Sequence, residues 1–239
     1  MKKVYFVFLM FLLWFRVCDA QTADGIINNY FEKTGGADNW RSLQSIKMKA
    51  TMNMQGMELT GNIYSKRPNK QRSEFEVMGQ SVIQAYDGQD AWMINPFMGV
   101  STAQAIPEEM AKSMKENDFE SQFLDYAIKG NSVELVGTDT AGGREAFKIK
   151  LTKKNGDVEY HYFDKASCLP VMMKTTVSEG PQKGTEAEVY FSEFRPVGKL
   201  VFPFTMETKT NGNTLQKITF VEIDVDVPIP DSLFIMPKN

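Results

Sequence analysis

The feature that most constrains the fold is a strict alternation of apolar and polar residues that begins at Ile46. Successive side chains of a β-strand point to opposite faces, so a period of two predicts strands with one apolar face. The first strand runs to Met54, a turn follows at Gln55-Gly56, and the pattern continues in a returning strand. The apolar positions of this pair are Ile46, Met48, Ala50, Met52, Met54, Met57, Leu59, Gly61 and Ile63.

Similar short segments, separated by turn residues, continue to Asn95 and resume from Ser132 to Val225. Asn155-Gly156 and Asn211-Gly212 are strong hairpin signals, and the short connections predict antiparallel neighbours. We expect about eleven or twelve strands. The predicted fold is mainly β: an incomplete, strongly curved antiparallel β-barrel.

Apolar residues recur at helical spacing in two regions of the sequence. Residues 22–35 predict an N-terminal helix that Thr22 caps and Gly35-Gly36 ends, followed by a short helical piece. Between Pro107 and Gly130 the pattern predicts two further amphipathic helices, the second starting at Asn117. We expect this two-helix insertion to lie as a lid across the open side of the barrel.

The first 20 residues have the three parts of a secretory signal peptide. A basic start precedes an apolar run from Val4 to Phe15, which is too short for a span of about 20 residues, and small residues end at Ala20. We expect cleavage there and a single mature domain over residues 21–239, located outside the cytoplasm. The competing interpretation is lipidation of Cys18. If Cys18 leaves with the signal, Cys168 has no partner for an internal disulfide.

The sequence contains none of the usual catalytic motifs. One histidine, His161, lies on a predicted strand and cannot build an ordinary zinc site alone. We interpret it as a structural or surface residue. The formal net charge of −3, without a basic tract, argues against nucleic acid. The sequence therefore predicts a binding protein and not an enzyme, with no cofactor and no metal.

Fifteen methionines favour an adaptable apolar cavity over a rigid core. The candidate cavity residues are Met48, Met52, Leu59, Ile63 and Phe75. The candidate lid residues are Met110, Met114, Phe119 and Phe123, which fall on the apolar faces of the inserted helices. The alternative is that these lid residues only pack the helices onto the sheet.

Four stretches of the mature chain carry a family resemblance. They are Ala23–Phe31 followed by Gly35-Gly36 and Trp40, then Ala85–Gly88 leading to Ala91–Pro96, then Phe194–Pro203, and finally Val227–Phe234. In their order and spacing, the sequence resembles the LolA-like outer membrane lipoprotein-sorting proteins of the Bacteroidetes type.

The resemblance implies an unclosed β-barrel with helices as a lid over an apolar cavity. It also implies a periplasmic carrier that binds the acyl chains of lipoproteins and moves them toward the outer membrane, with envelope delivery and acceptor proteins as partners. The alternative is a related lipid-binding or envelope-sensing module without transfer. The family's arginine latch between barrel and lid is not assigned; Arg67 and Arg72 lie in the appropriate region. We expect a monomer.

Overall fold

Antiparallel strands dominate the computed structural model, which describes residues 22–54, 56–108, 111, 114–115, 119–177 and 183–238. The helices are α1 Ala23–Lys33 and α2 Ala37–Ser42. The strands are β1 Ser45–Met54, β2 Met57–Lys66, β3 Lys70–Val77, β4 Gln80–Tyr86, β5 Ala91–Asn95, β6 Val100–Ala105, β7 Ser132–Ala141, β8 Arg144–Thr152, β9 Val158–Asp164, β10 Pro170–Thr176, β11 Glu186–Val197, β12 Leu200–Thr210 and β13 Asn213–Val225.

These strands form one open sheet in the order β6-β5-β4-β3-β2-β1-β13-β12-β11-β10-β9-β8-β7, and every pair is antiparallel. The prediction of a mainly β, unclosed sheet is confirmed. The sequence pattern does not predict β6, because the residues of this strand lack large apolar side chains at alternate positions.

The N-terminal helices form where the sequence predicts them. Thr22 Oγ1 accepts a hydrogen bond from Gly25 N (3.1 Å) and so caps α1. The apolar stripe of α1 contains the buried residues Ile26, Ile27 and Phe31. In α2 the buried residue is Trp40. Both helices therefore add their apolar faces to the core of the sheet.

The core shows that the sheet is strongly curved. One hydrophobic cluster, which we call the main core cluster, contains Phe75 of β3 and Ile149 of β8, together with the apolar faces of both helices. These strands are eight steps apart in the sheet, which would separate them by roughly 40 Å in a flat sheet. The sheet therefore curls around this main core cluster, and the cluster lies on its inner face.

Residues 106–131, the bridging segment, connect β6 to β7, which are the two edge strands of the sheet. The insertion thus spans the open side of the barrel, as predicted. In its first half, the residues Glu108, Ala111, Met114 and Lys115 are helical.

The prediction of a second helix in the insertion, Asn117–Gly130, is wrong, because residues 122–130 form consecutive turns. Asp125 has a φ of 52°, in the left-handed region that interrupts a right-handed helix. Its carboxylate accepts two hydrogen bonds from Arg41 of α2, at 2.9 and 2.7 Å. This tertiary ion pair stabilises a backbone conformation that the local helical pattern does not predict.

The four stretches that carry the family resemblance contact one another in pairs. In the first pair, the rings of Trp40 and Phe202 lie 5.0 Å apart, and Gly35 is so close to the β11–β12 turn that a Cβ would lie 2.1 Å from Lys199 O. In the second pair, Trp92 Nε1 donates to Phe234 O (2.7 Å). The C-terminal tail is thereby held against the sheet.

Candidate functional site

A cavity of about 360 Å³ lies between the inner face of the sheet, the N-terminal helices and the bridging segment. We call it the aromatic cavity. Its lining residues are Tyr30, Trp40, Glu120, Ser121, Gln122, Phe123, Lys153, Glu159, His161, Phe163, Pro170, Met173, Phe191, Phe194, Val201 and Pro203. Its size falls in the range of small-molecule binding sites.

The aromatic wall is built from elements that are distant in sequence. Phe163 of β9 contacts Tyr30 of α1 and Phe123 of the bridging segment, with ring centroids 5.6 and 5.5 Å apart. Aromatic pairs at these distances stabilise their contact beyond the area they bury. Helix, sheet and bridging segment therefore meet at one wall of the cavity.

Tyr30 also supplies a polar contact between α1 and the bridging segment. Burial raises the pKa of Tyr30 to about 12, and a hydrogen bond with the Ser121 side chain offsets part of that rise. The phenol is therefore neutral at physiological pH and holds this end of the bridging segment against the helix.

A buried ionic group interrupts the apolar wall. Glu159 accepts hydrogen bonds from Lys153 Nζ (2.6 Å) and His161 Nε2 (2.9 Å), one on each carboxylate oxygen. Burial raises the pKa of Glu159, but the contacts with His161 and Lys153 outweigh it and lower the pKa to about 2. Glu159 is therefore ionised at neutral pH, inside a largely apolar cavity.

A second ionic group attaches the bridging segment to the rest of the fold. Glu120 accepts a hydrogen bond from Arg67 Nη2 (2.6 Å) and lies 3.1 Å from Lys129 Nζ. The Arg67 guanidinium also lies over the ring of Phe119, 5.1 Å from its centroid. Of the two arginines considered in the sequence, Arg67 contacts the insertion, whereas Arg72 contacts Glu74 and Leu233.

The five predicted cavity residues all belong to or pack against the main core cluster. Leu59 and Phe75 are buried members, and Met48, Met52 and Ile63 pack against it half-buried. None of the five is among the residues that line the aromatic cavity. Phe75 lies over Gly61, where a Cβ would come within 2.6 Å of the Phe75 ring.

Pairing registers connect these residues to the aromatic cavity. Directly paired residues on neighbouring strands point to the same face of a sheet. One such row is Leu59, Met52, Ile218, Met206 and Phe191. The predicted residues Leu59 and Met52 therefore share the inner face with Phe191, which lines the cavity.

The predicted lid residues fall into two groups. Phe123 is buried in the main core cluster, and Phe119 packs against it. Met114 instead packs against a separate cluster with Tyr86, Met93 and Ile106 near the β6 edge. Met110 lies outside the described residues, as do the predicted signal segment and Cys18.

His161 has more contacts than its position in the sequence indicates. It lies on the inner face, its ring meets that of Phe123 edge-on at 4.7 Å, and it hydrogen-bonds Glu159. Nothing in the strand pattern shows this, because Tyr160 and Tyr162 make the opposite face equally apolar. Cys168 is a half-exposed free thiol in the β9–β10 turn.

Two further findings concern the described part of the chain. Its His, Cys, Asp and Glu side chains form no group of three or more that could hold a metal ion. None of its helices has both the length and the apolar character needed to cross a membrane.

Comparison with solved structures shows that the fold is similar to that of LolA-like proteins. A DUF1329 family protein from Desulfovibrio piger superposes with a TM-score of 0.60 at 15% identity, covering 88% of this chain and 96% of that one. A LolA superfamily protein from Nitrosomonas europaea superposes with a TM-score of 0.55 at 11% identity, covering 90% and 97%.

A third structure is a domain assigned as an outer membrane lipoprotein-sorting protein from Vibrio parahaemolyticus. It has a TM-score of 0.57 at 10% identity and covers 87% of this chain and 94% of that one. Neither the protein-family models nor the curated proteins contain a match to the sequence. The resemblance stated from the sequence is therefore confirmed for the fold.

Proposed function

We propose that this protein is a periplasmic carrier that binds the acyl chains of lipoproteins and moves them toward the outer membrane. The observation that carries the proposal is the aromatic cavity, which lies between a curved sheet and the segment that bridges its edges. The LolA-like fold supports it, because the solved structures with this fold include a domain assigned to lipoprotein sorting.

The energetics of carriage favour such a site. Exposing an acyl chain to water costs about 0.8 kcal/mol per CH₂ group, and the aromatic wall offers an apolar surface that offsets this cost. Met52 and Leu59 extend the same inner face beyond the cavity. We propose that displacing the bridging segment makes this wider face available to longer chains, so that the predicted cavity residues take part in binding.

The bridging segment is well placed to move without breaking the sheet. It joins two edge strands, and its contacts around Glu120 are ionic and partly exposed. Elements that gate a site come from the less stable parts of a fold. We propose that this segment is the lid, with Phe119 and Phe123 on its inner side.

The proposed cellular location and partner proteins follow from the same function. The N-terminal 20 residues are proposed to direct export to the periplasm, and the mature domain to act there as a monomer. It would receive its cargo from one envelope protein and deliver it to another. These steps need neither a metal nor a cofactor.

Native mass spectrometry of the protein purified from a Gram-negative envelope tests the binding step. We expect a bound lipoprotein. Bound free lipid without lipoprotein would favour the lipid-binding or sensing module that does not transfer cargo. Failure to bind any acyl compound, both in the envelope and with added fluorescent fatty acid, would contradict the carrier proposal.

A matched pair of variants locates the binding site. Val201 lines the aromatic cavity, whereas Val221 is exposed on β13. Val201→Trp should fill the cavity and weaken acyl-probe binding by at least about tenfold, since each displaced CH₂ group loses about 0.8 kcal/mol and two of them suffice for that factor. Val221→Trp should leave binding unchanged. Equal binding by both variants would place the acyl site elsewhere.

A further inference from the structure

The aromatic cavity contains one polar ring that the binding of a plain hydrocarbon chain does not require. His161 lies on a row of directly paired residues in which its two direct partners, Ile149 and Met173, and the next residue, Val189, are apolar. It is 9% exposed and lines the cavity. A polar group in such a place is costly unless it is hydrogen-bonded.

Within the described residues, one of the two ring nitrogens of His161 has a hydrogen-bond partner. Nε2 faces Glu159 Oε2 at 2.9 Å. Glu159 is ionised and can only accept, so Nε2 must carry the hydrogen. In the neutral ring, Nδ1 is then an acceptor, and no group in the described part of the chain hydrogen-bonds it.

The neighbouring polar groups of the cavity are already engaged. Lys153 pairs with the other oxygen of Glu159. Ser121 Oγ accepts from Phe123 N (3.3 Å) and hydrogen-bonds Tyr30. Ser121 and His161 are therefore not joined as a nucleophile and its base, and Nδ1 is left for a group on the ligand.

We propose that His161 Nδ1 accepts a hydrogen bond from a hydroxyl or amide N–H of the bound lipid. The aromatic cavity is then a site for amphiphiles that carry a hydrogen-bond donor beside the acyl chain. Ligands without such a donor leave Nδ1 unpaired and bind more weakly. This inference rests on the proposed function, because it needs a lipid in the cavity.

The test compares a long-chain 1-alkanol with the methyl ether of the same alcohol, in which a methyl group replaces the hydroxyl hydrogen and no donor remains. Each displaces diphenylhexatriene, a hydrocarbon probe, from the full mature protein. We expect the alcohol to bind about tenfold more tightly than the ether, the equivalent of one hydrogen bond.

In His161→Phe the preference should disappear, so that the alcohol and the ether bind equally tightly. Lys153 still pairs with Glu159 in this variant. His161→Gln, whose amide oxygen can accept, should restore part of the preference. If His161→Phe does not fold, the double variant Glu159→Gln with His161→Phe removes the buried charge and serves in its place.

The outcomes separate the two proposals. If the wild-type protein binds diphenylhexatriene but shows no preference, or if the preference persists in His161→Phe, the inference about His161 is wrong and the lipid-binding proposal stands. If the wild-type protein binds neither the probe nor the two ligands, the lipid-binding proposal fails, and the inference fails with it.

Discussion

Arg67 and Glu120 join the sheet to the bridging segment, with Arg67 Nη2 2.6 Å from Glu120 Oε2. Arg67 lies in the turn between β2 and β3, and its guanidinium also donates to the carbonyl oxygens of Leu43 (2.6 Å) and Trp40 (3.1 Å). The planar fork of arginine makes such a three-way contact possible, which the single ammonium of lysine does not reproduce.

Glu120→Gln should weaken this attachment. The change removes the carboxylate charge that Arg67 and Lys129 share, and because the site is only partly buried we expect a loss of about 1–2 kcal/mol in the free energy of unfolding. We also expect faster release of a bound acyl probe, measured by stopped-flow fluorescence. Glu145→Gln, which alters an exposed ion pair with Lys165, is the control and should change neither quantity. Unaltered release in Glu120→Gln would contradict a latch at Arg67.

Phe123 and Phe119 should differ in what they stabilise. Phe123 belongs to the main core cluster, so Phe123→Ala should lower the free energy of unfolding by about 3–5 kcal/mol. It should also weaken probe binding. Phe119 is half-buried over Arg67, so Phe119→Ala should mainly weaken binding. Urea unfolding and probe titration measure the two effects. Equal losses of stability would show that Phe119 is as much a core residue as Phe123.

Acid should remove the stabilisation that Glu159 provides. Its pKa is lowered from a usual 4.5 to about 2 in the folded protein, so the unfolded state binds more protons between these values. The contribution is complete above about pH 4.5 and is lost as the pH falls toward 2. It is on the order of 3 kcal/mol.

The measurement is the free energy of unfolding in urea at a series of acidic pH values. Glu159→Gln should lose stability less steeply than the wild-type protein over this range. Glu134→Gln, at an exposed position, should follow the wild-type curve. Parallel curves for the wild-type protein and Glu159→Gln would contradict the lowered pKa.

Gly35→Ala tests the contact between the first and third of the resembling stretches. Gly35 has a φ of 109°, and a Cβ would lie 2.1 Å from the backbone oxygen of Lys199. We expect the free energy of unfolding to fall by more than about 2 kcal/mol, because backbone strain and a steric clash with the backbone add together. Gly212 also has a positive φ, but a Cβ there meets nothing within 4 Å, so Gly212→Ala should cost only about 1 kcal/mol. Thermal unfolding compares the two; similar melting temperatures would contradict the close packing at Gly35.

Local patterns in the sequence were sufficient for most elements of the fold. The cap at Thr22, the alternation from Ile46 and the hairpin at Asn211-Gly212 depend on neighbouring residues, so they can be predicted from them. The prediction of a second helix in the insertion is wrong because Asp125 adopts its left-handed conformation in contact with Arg41, far away in the sequence.

Hydrophobic period and turn chemistry are local properties, so the sequence alone predicts antiparallel strands with helices at the start of the chain and in one insertion. The set of residues that share the aromatic cavity depends on the tertiary structure, which brings Tyr30, Phe123 and Phe163 together from a helix, the insertion and a strand. The same holds for the inward orientation of His161 and Glu159. A strand with apolar residues on both faces does not show which face is inside until the sheet curls around a core.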